Sequence, residues 1–255
     1  MHAVEILWWK SCSGSRVDKV RKQPFGEQMA FGATMNLMNN LQNPMADWRL
    51  QDYTAILFDC DGTLADTMPA HYRAWLHVTN HHGIRFDEDY FYALGGRPTR
   101  DILATLASEA SIEIDLDQAS EMKEQAFLEQ VAHVKAIDPV IAAVRRAHGH
   151  VPVAVVTGGY RDVCEKILCQ IGVREYFDVI VASEDTSRHK PDPDPFLEAA
   201  RRLGVQPEGC LVWEDSDLGV ESARRAGMQW IDVRSFHQPE RLTERATETD
   251  SGGGS

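Results

Sequence analysis

Short apolar runs recur along the central part of the chain, and stretches with helical periodicity separate them. The runs contain four to six residues and many β-branched side chains, which is typical of strands buried on both faces of a sheet. They are TAILF (54–58), VPVAVV (151–156), FDVIVA (177–182), CLVW (210–213) and WIDV (230–233). Glycine follows each of the helical stretches 160–171, 194–203 and 217–226, as expected at a helix end. This alternation predicts an α/β fold with a doubly wound parallel sheet.

The segment between the first and second runs (67–137) lacks a convincing strand and shows the apolar stripes of amphipathic helices. Its helical stretches are PAHYRAWLHVTNHHG, TRDILATLASEA and LDQASEMKEQAFLEQVAHV. We therefore expect an all-helical domain of residues 67–137, inserted into a core of residues 51–66 and 138–237.

Both ends of the chain lack sustained hydrophobic periodicity. Residues 1–50 are rich in Met, Asn, Gln and Gly, which predicts a poorly ordered leader or extension. A targeting leader is the alternative, but the acidic residues Glu5, Asp18 and Glu27 weaken it. Residues 238–255 end in SGGGS, the composition of a flexible tail.

Composition and charge narrow the classes of function. With 43% hydrophobic and 25% charged residues the chain has the composition of a globular protein, and a monomer is expected. Its net charge of −13 argues against partnership with nucleic acid or an anionic membrane, although a small anionic ligand remains compatible. Five cysteines without a CxxC pair indicate neither a disulfide framework nor a zinc site, which fits the cytoplasm.

Two carboxylates stand two residues apart directly after the first apolar run, in FDCDGT (58–63). Because side chains alternate along a strand, Asp59 and Asp61 can face the same small volume. Carboxylates so close repel each other unless a cation or a shared proton relieves them, which favours a metal-assisted acid or nucleophile site. If this stretch is taken alone, the alternative of an ordinary turn at the end of a strand, without a function, is not excluded. An EF-hand loop is excluded, because Leu64 and Ala70 occupy the positions of its glycine and glutamate.

Polar residues also follow three later strands of the predicted sheet. They are Thr157-Gly158-Gly159, Lys190 in RHKPDPDPF, and Glu214-Asp215-Ser216. Each is weak alone, because turns and surface lysines are common. Ligands of open α/β sheets bind outside the carboxyl ends of the strands, so these residues are expected at one edge together with Asp59 and Asp61.

This set of groups suits phosphoryl transfer, in which positioning and charge neutralisation carry most of the catalysis. In this interpretation Asp59 attacks phosphorus, and Asp61 protonates the leaving oxygen and later activates water. Mg²⁺ is the expected cofactor, since it is a hard cation that prefers oxygen ligands. Its expected ligands are Asp59, Asp61, Glu214 and Asp215. Thr157 and Lys190 complete the catalytic set by holding phosphoryl oxygens, together with the backbone N–H of Gly158.

Four stretches in order resemble the haloacid dehalogenase-like hydrolase superfamily, in the branch that holds β-phosphoglucomutase and sugar-phosphate phosphatases. They are FDCDGTLADT, VVTGG, RHKPDPDPF and WEDSDLGVESARRAGM. The resemblance covers about residues 53–233 and implies a Rossmann-like core with a helical cap. It implies for Asp59, Asp61 and Asp215 the same roles that the interpretation as phosphoryl transfer gives them. Dehalogenases of the superfamily lack the second aspartate, so Asp61 argues against that activity.

The resemblance also implies a substrate-binding side on the cap. His71 and Trp75 match the HxxxW positions of this branch, Lys123 falls where a cap lysine often reaches the active site, and LGGRPT (94–99) matches a sugar-reading loop. The implied substrate-binding residues are His71, Trp75, Gly96, Arg97, Thr99, Lys123 and Gly158. Structural alternatives are a hydrogen-bonded helix residue for His71, a packing residue for Trp75 and a solvated side chain for Lys123.

Thr99 separates the two activities of the branch. β-Phosphoglucomutases usually carry arginine at this position, and a guanidinium suits the binding of a second phosphate. Arg97 and Arg100 flank Thr99, so the alternative is that a neighbouring arginine substitutes, and both are further candidates for discrimination between sugars. The Pro-Thr pair instead resembles the fructose-1-phosphate and 6-phosphogluconate phosphatases. The sequence therefore predicts a cytoplasmic Mg²⁺-dependent phosphatase of small sugar phosphates, with a β-phosphoglucomutase as the first alternative. A noncatalytic sugar-phosphate binding protein is the second, and it would need no nucleophile.

Overall fold

The computed structural model describes residues 48–242, so most of the expected leader and tail lie outside the described residues. Five parallel strands form one sheet in the order β3-β2-β1-β4-β5. They are β1 (Ala55–Phe58), β2 (Val153–Val156), β3 (Val179–Val181), β4 (Cys210–Glu214) and β5 (Gln229–Asp232). Each predicted strand is present within two residues of its expected ends. The α/β, Rossmann-like fold class is thereby confirmed.

The first strand lies at the centre of the sheet. β1 pairs with β2 on one side and with β4 on the other, and Phe58 is in register with Val155 and with Trp213. All four residues of β1 are buried, as its apolar sequence requires. The carboxyl ends of β2, β1 and β4 therefore lie side by side, and the residues that follow them meet at one edge.

Four helices belong to the segments that connect the strands. They are α5 (Asp138–Ala147), α6 (Arg161–Gln170), α7 (Asp194–Leu203) and α8 (Asp217–Arg225). α7 packs on β1, β2 and β3, and its Phe196 is completely buried in the core cluster with Leu57 and Val156. Gly204 ends α7 in the left-handed conformation, at φ 71°, which places glycine where a side chain would be strained. Of the four helices, α5 is the one that the sequence did not predict.

Four further helices lie between β1 and α5, and we call them the helical insert. They are α1 (Met68–His81), α2 (Glu88–Ala93), α3 (Thr99–Ala110) and α4 (Leu116–Leu128). They surround an apolar cluster of their own, in which Trp75 and Leu103 are buried. The insert's two connections run side by side, because Ala65 and Ala136 form an antiparallel bridge. The short helix α2 was not predicted, and the division into core and cap domains stays a prediction.

Three cysteines of the described residues, Cys60, Cys164 and Cys210, are free and buried. Within residues 48–242, no helix is long and apolar enough to span a membrane.

Candidate active site

The backbone after β1 brings two acidic side chains to one cavity. The hydrogen bonds between β1 and β4 continue one residue beyond β1, because the Asp59 N–H donates to the Trp213 carbonyl at 3.0 Å. The chain then turns at Gly62, which has a φ of 82°. A Cβ on Gly62 would lie 2.1 Å from Asp215 Oδ2, so a side chain at this turn would collide with the acidic residue after β4. Asp59, Asp61 and Asp215 all line the cavity. The spacing in FDCDGT predicted that Asp59 and Asp61 face one volume, and the rule on strand ends predicted that Asp215 lies with them.

Lys190 lies behind the cavity and joins two carboxylates. Its Nζ donates to Asp59 Oδ1 and to Glu214 Oε1, both at 2.6 Å, and to the Val156 carbonyl at 3.2 Å. Burial raises the pKa of Asp59 to about 8, with Lys190 acting against it and Glu214 and Asp61 acting with it. Burial also lowers the pKa of Lys190, but the two carboxylates outweigh it and raise that pKa. Negative groups therefore outnumber positive ones at this edge of the sheet.

Asp61 is held through one of its two oxygens. Thr67 Oγ1 donates to Asp61 Oδ1 at 2.7 Å, and His71 Nε2 lies 2.9 Å from the same oxygen. Burial acts to raise the pKa of Asp61, but the interactions with His71 and Thr67 outweigh it and hold that pKa below its ordinary value. Asp61 Oδ2 lies on the side of Gly159, 3.8 Å from where a Cβ of that glycine would stand. One oxygen is thus anchored while the other lies beside the loop after β2.

His71 and Lys123 connect this carboxylate to the insert. The His71 ring stacks on Phe127 at a centroid distance of 3.8 Å and an interplanar angle of 6°. Lys123 Nζ lies 3.0 Å from His71 Nδ1 and 3.0 Å from Glu124 Oε1. Because Lys123 is only 4% exposed, the alternative of a solvated side chain is wrong. His71 is a hydrogen-bonded helix residue, as one alternative stated, and it also lines the cavity.

The loop after β2 carries the hydroxyl and the glycines expected to bind a phosphoryl group. Thr157 is buried, and its Oγ1 accepts a hydrogen bond from the Gly159 N–H at 3.0 Å. A Cβ on Gly158 would lie 2.4 Å from the Gly96 carbonyl oxygen, so glycine permits the loop of the insert to approach this closely. Gly158 and Gly96, which were predicted from separate motifs, meet at the cavity.

The two acidic residues at the end of β4 differ in their hydrogen bonds: both oxygens of Glu214 accept hydrogen bonds, whereas only one oxygen of Asp215 accepts one from the described residues. Glu214 Oε1 accepts from Lys190, and Oε2 accepts from the N–H and the hydroxyl of Ser216 at 2.7 and 3.0 Å. Thr63 Oγ1 donates to Asp215 Oδ1 at 3.0 Å. Burial, followed by the charges of Glu214 and Asp59, raises the pKa of Asp215. No described residue donates a hydrogen bond to Asp215 Oδ2.

These donors fit a hard divalent cation with few protein ligands. Among residues 48–242, no group of three or more histidine, cysteine or acidic side chains is arranged to hold a metal. Mg²⁺ keeps several water ligands and binds through one or two carboxylates, so it does not require such a group. Asp59 and Asp215 each have one oxygen to which no described residue donates a hydrogen bond, and both line the cavity. The crowded negative charge is what a divalent cation would neutralise.

The insert supplies the remaining wall of the cavity. Apart from Lys190 and Arg100, every predicted site residue lines the cavity. Its apolar members are Met68, Trp75, Phe91, Leu94 and Ile102. Arg97 Nη2 donates to the Thr105 hydroxyl at 3.2 Å, whereas the exposed Arg100 pairs with Asp117 and does not line the cavity. The 3% exposed Trp75 both packs in the insert and lines the cavity.

Known proteins are similar to this chain in sequence and in fold. The model of the family described as haloacid dehalogenase-like hydrolase matches residues 56–233. The chain belongs to the haloacid dehalogenase-like hydrolase family. This match confirms the predicted resemblance to the superfamily. It also confirms the prediction that the chain is an enzyme of that superfamily.

Two curated relatives within the family are named phosphatases. Fructose-1-phosphate phosphatase YqaB of Escherichia coli (strain K12) is 38% identical over 182 residues, covering 71% of this chain and 97% of the relative. The phosphorylated carbohydrates phosphatase of Thermotoga maritima is 32% identical over 181 residues, covering 69% and 83%. CbbY from Rhodobacter sphaeroides, solved in complex with phosphate, aligns with a TM-score of 0.62 and 28% identity over 71% of this chain and 85% of that one.

Three polar residues of this family member's site were not predicted. They are Thr63, Thr67 and Glu124, each of which hydrogen-bonds a predicted site residue. Thr63 and Thr67 stand inside the family motifs, so the motifs carried a signal for them. Glu124 lies in an amphipathic helix next to Lys123, and nothing in the local pattern distinguished it from a solvated glutamate.

Proposed function

We propose that the chain is a Mg²⁺-dependent phosphatase that hydrolyses small sugar phosphates through an aspartyl-phosphate intermediate. The observation that carries the proposal is the pair Asp59 and Asp61 at the end of β1, one held by Lys190 and the other by His71 and Thr67. The names of the two relatives support a phosphorylated carbohydrate as substrate.

The first chemical step transfers the phosphoryl group to Asp59. A carboxylate oxygen of Asp59 forms a bond to phosphorus while the bond from phosphorus to the sugar oxygen breaks. Asp61 gives its proton to that leaving oxygen. The low pKa of Asp61 makes it a carboxylate in the free site, so as the substrate binds it takes up, from solvent or from the substrate phosphate, the proton that it then donates. The negative charge of the bound phosphoryl group favours this protonated form. Thr157 and the N–H of Gly158 hold the other phosphoryl oxygens.

The second step releases phosphate. A water molecule gives a proton to Asp61 and attacks phosphorus, and the bond to Asp59 breaks so that its carboxylate is restored. The proton that Asp61 receives replaces the one that it gave to the sugar. Lys190 keeps Asp59 in place through both steps, since its ammonium is buried and held by two carboxylates.

The residues that would hold Mg²⁺ are Asp59, Asp215 and the main-chain carbonyl of Asp61. Glu214 would stand behind them, because both of its oxygens are hydrogen-bonded by Lys190 and Ser216. When bound, the cation would act against the burial that raises the pKa of Asp59, which favours the carboxylate that attacks phosphorus, and would neutralise charge on the phosphoryl oxygens.

The insert side favours a substrate with one phosphate over the bisphosphate that a mutase must hold. Thr99 donates its hydroxyl to Glu124 at 2.6 Å, and Lys123 is paired with the same carboxylate. Arg100 is paired with Asp117 outside the cavity. Arg97 is therefore the arginine that can bind a polar group of the sugar at a distance from the transferred phosphate. A noncatalytic binding protein would have no need of the Asp59 and Asp61 pair.

A screen of phosphate release over phosphorylated sugars tests the proposal. We expect Mg²⁺-dependent release that EDTA stops and added Mg²⁺ restores. Undiminished release in chelator would overturn the metal site, and formation of glucose 6-phosphate from β-glucose 1-phosphate without free phosphate would identify a mutase. We further propose a cytoplasmic monomer with a small-molecule substrate and without a nucleic-acid or membrane partner, in keeping with the net charge of −13.

A further inference from the structure

Glu124 is a nearly buried carboxylate that none of the catalytic steps uses. Its side chain is 12% exposed and does not line the cavity. Its Oε1 accepts two hydrogen bonds, from Thr99 Oγ1 at 2.6 Å and from Lys123 Nζ at 3.0 Å. Burial acts to raise the pKa of Glu124, but the charge of Lys123 and the hydrogen bonds from Thr99 and Lys123 act to lower it, and the pKa lies below its ordinary value. Glu124 is therefore a charged group held inside the helical insert.

Lys123 depends on this carboxylate. The lysine side chain is 5% exposed, and its Nζ lies 5.6 Å from the ring centroids of both Trp75 and Phe127. A buried ammonium among aromatic rings is costly unless a carboxylate partner compensates it. Glu124 is the acidic residue with which Lys123 forms an ion pair in the described part of the chain.

The hydrogen-bond directions run from Lys123 towards Asp61. An ammonium only donates, so His71 Nδ1, 3.0 Å from Lys123 Nζ, is the acceptor. The ring hydrogen of a neutral His71 is then on Nε2, which donates to Asp61 Oδ1 at 2.9 Å. With Oδ1 fixed in this way, Oδ2 is the oxygen left on the side of Gly159.

We propose that Glu124 is a positioning residue for the acid–base carboxyl group of Asp61, acting through Lys123 and His71. This inference rests on the proposed phosphatase function. Thr99 supports the same arrangement, because its hydroxyl holds the oxygen of Glu124 that binds Lys123. Thr99 and Lys123, which the family resemblance places on the substrate side, are here joined to each other through Glu124.

The test compares two leaving groups in the variants Glu124→Ala and Glu124→Gln. A sugar oxygen needs a proton as it leaves, whereas p-nitrophenolate leaves without one, so a misplaced Asp61 slows the first substrate selectively. We expect Glu124→Ala to lower kcat/KM for the sugar phosphate by about 10- to 100-fold and that for p-nitrophenyl phosphate by less than about 3-fold. The ratio kcat/KM is the measurement of choice, because it reports phosphoryl transfer and excludes the later hydrolysis of the intermediate.

Two variants guard against a purely structural explanation. Glu124→Gln keeps the size and the acceptor oxygen but lacks the charge, so we expect a loss of the same kind and smaller size. Glu121→Ala, in the same helix at an exposed position, is the matched control and should leave both substrates unaffected. Nitrogen NMR of the histidine side chains gives a readout apart from turnover: His71 should carry its hydrogen on Nε2 in the parent and lose that single fixed tautomer in Glu124→Ala.

The outcomes separate this inference from the function on which it rests. A parent protein that releases no phosphate from any phosphorylated sugar would overturn the proposed function and the inference together. An active parent whose Glu124 variants slow both substrates equally, or neither, would overturn the inference alone. An unchanged His71 tautomer in a folded Glu124→Ala protein would do the same.

Discussion

The two sides of the cavity are built on different physical principles. On the sheet side, charged groups follow directly from strand ends, and Lys190 binds two carboxylates whose positions the β1–β4 register fixes. On the insert side, apolar side chains line the cavity beside polar ones, and the polar groups are held by one another across α1, α3 and α4. The sheet side is therefore equipped to act on a group that all phosphate esters share. The insert side is the one that can distinguish between sugars.

The largest effect should come from the sheet side. Asp59→Asn replaces the nucleophile by an amide that cannot form an acyl phosphate, so we expect kcat/KM to fall by at least about 10³-fold for every substrate. Phosphate release and trapping of the phosphorylated protein measure it. The Asn side chain keeps an acceptor for Lys190, so thermal unfolding should remain cooperative. Retained turnover, with contaminating phosphatases excluded, would be incompatible with a covalent intermediate on Asp59.

Asp61→Asn comes next and tests whether the anchored carboxylate carries protons. We expect a loss of about 10²- to 10⁴-fold for sugar phosphates, the usual contribution of general acid–base catalysis. The loss in kcat/KM should be smaller for p-nitrophenyl phosphate, because its leaving group needs no proton. If Asp61→Asn were as fast as the parent, only the main-chain carbonyl at this position would matter.

The site residues that the local pattern could predict are those that follow an apolar strand. β1 is a completely apolar run whose end fixes Asp59 and Asp61, and the Thr157-Gly158-Gly159 and Glu214-Asp215 motifs follow strands that the same rule identifies. Parallel pairing then requires these ends to meet. The five strands and the position of the site could be predicted for this reason.

The insert shows why the rest could not. In α4 the half-buried Met122 packs against the insert's apolar cluster, as helical periodicity requires, yet the neighbouring Lys123 is more deeply buried than Met122. The cause is the pairing of Lys123 with Glu124 and His71, which depends on how α1 packs against α4. Such packing joins residues far apart in the chain, and a local pattern contains no signal for it.

The metal requirement should change by a smaller factor. Asp215→Ala removes one of two carboxylates expected to hold Mg²⁺, so we expect the concentration for half-maximal activity to rise about 10- to 100-fold. Titration of Mg²⁺ at saturating substrate measures it. Asp217→Ala is a suitable control, because Asp217 lies two residues away and pairs with Arg234 outside the cavity. An unchanged Mg²⁺ requirement in Asp215→Ala would remove this carboxylate from the proposed site.

The smallest change concerns Arg97, and it tests the insert side directly. Arg97 lines the cavity, and its guanidinium donates to the neutral Thr105 hydroxyl, so it can still bind a polar group of the substrate. We expect Arg97→Ala to change the relative kcat/KM values of sugar phosphates by about 10-fold, which corresponds to about 1.5 kcal/mol, the lower end of what a charged hydrogen bond contributes. Turnover of p-nitrophenyl phosphate should barely change, because that ester shares only the phosphoryl group with the sugars.

Arg100→Ala is the matched control for this last variant. It removes a guanidinium three residues further along, where Asp117 already pairs with it on the exposed surface. The ranking of substrates should therefore stay as in the parent. If Arg97→Ala slowed all substrates by the same factor, Arg97 would serve closure of the cavity, and the discrimination that we assign to the insert would have to come from its other lining residues.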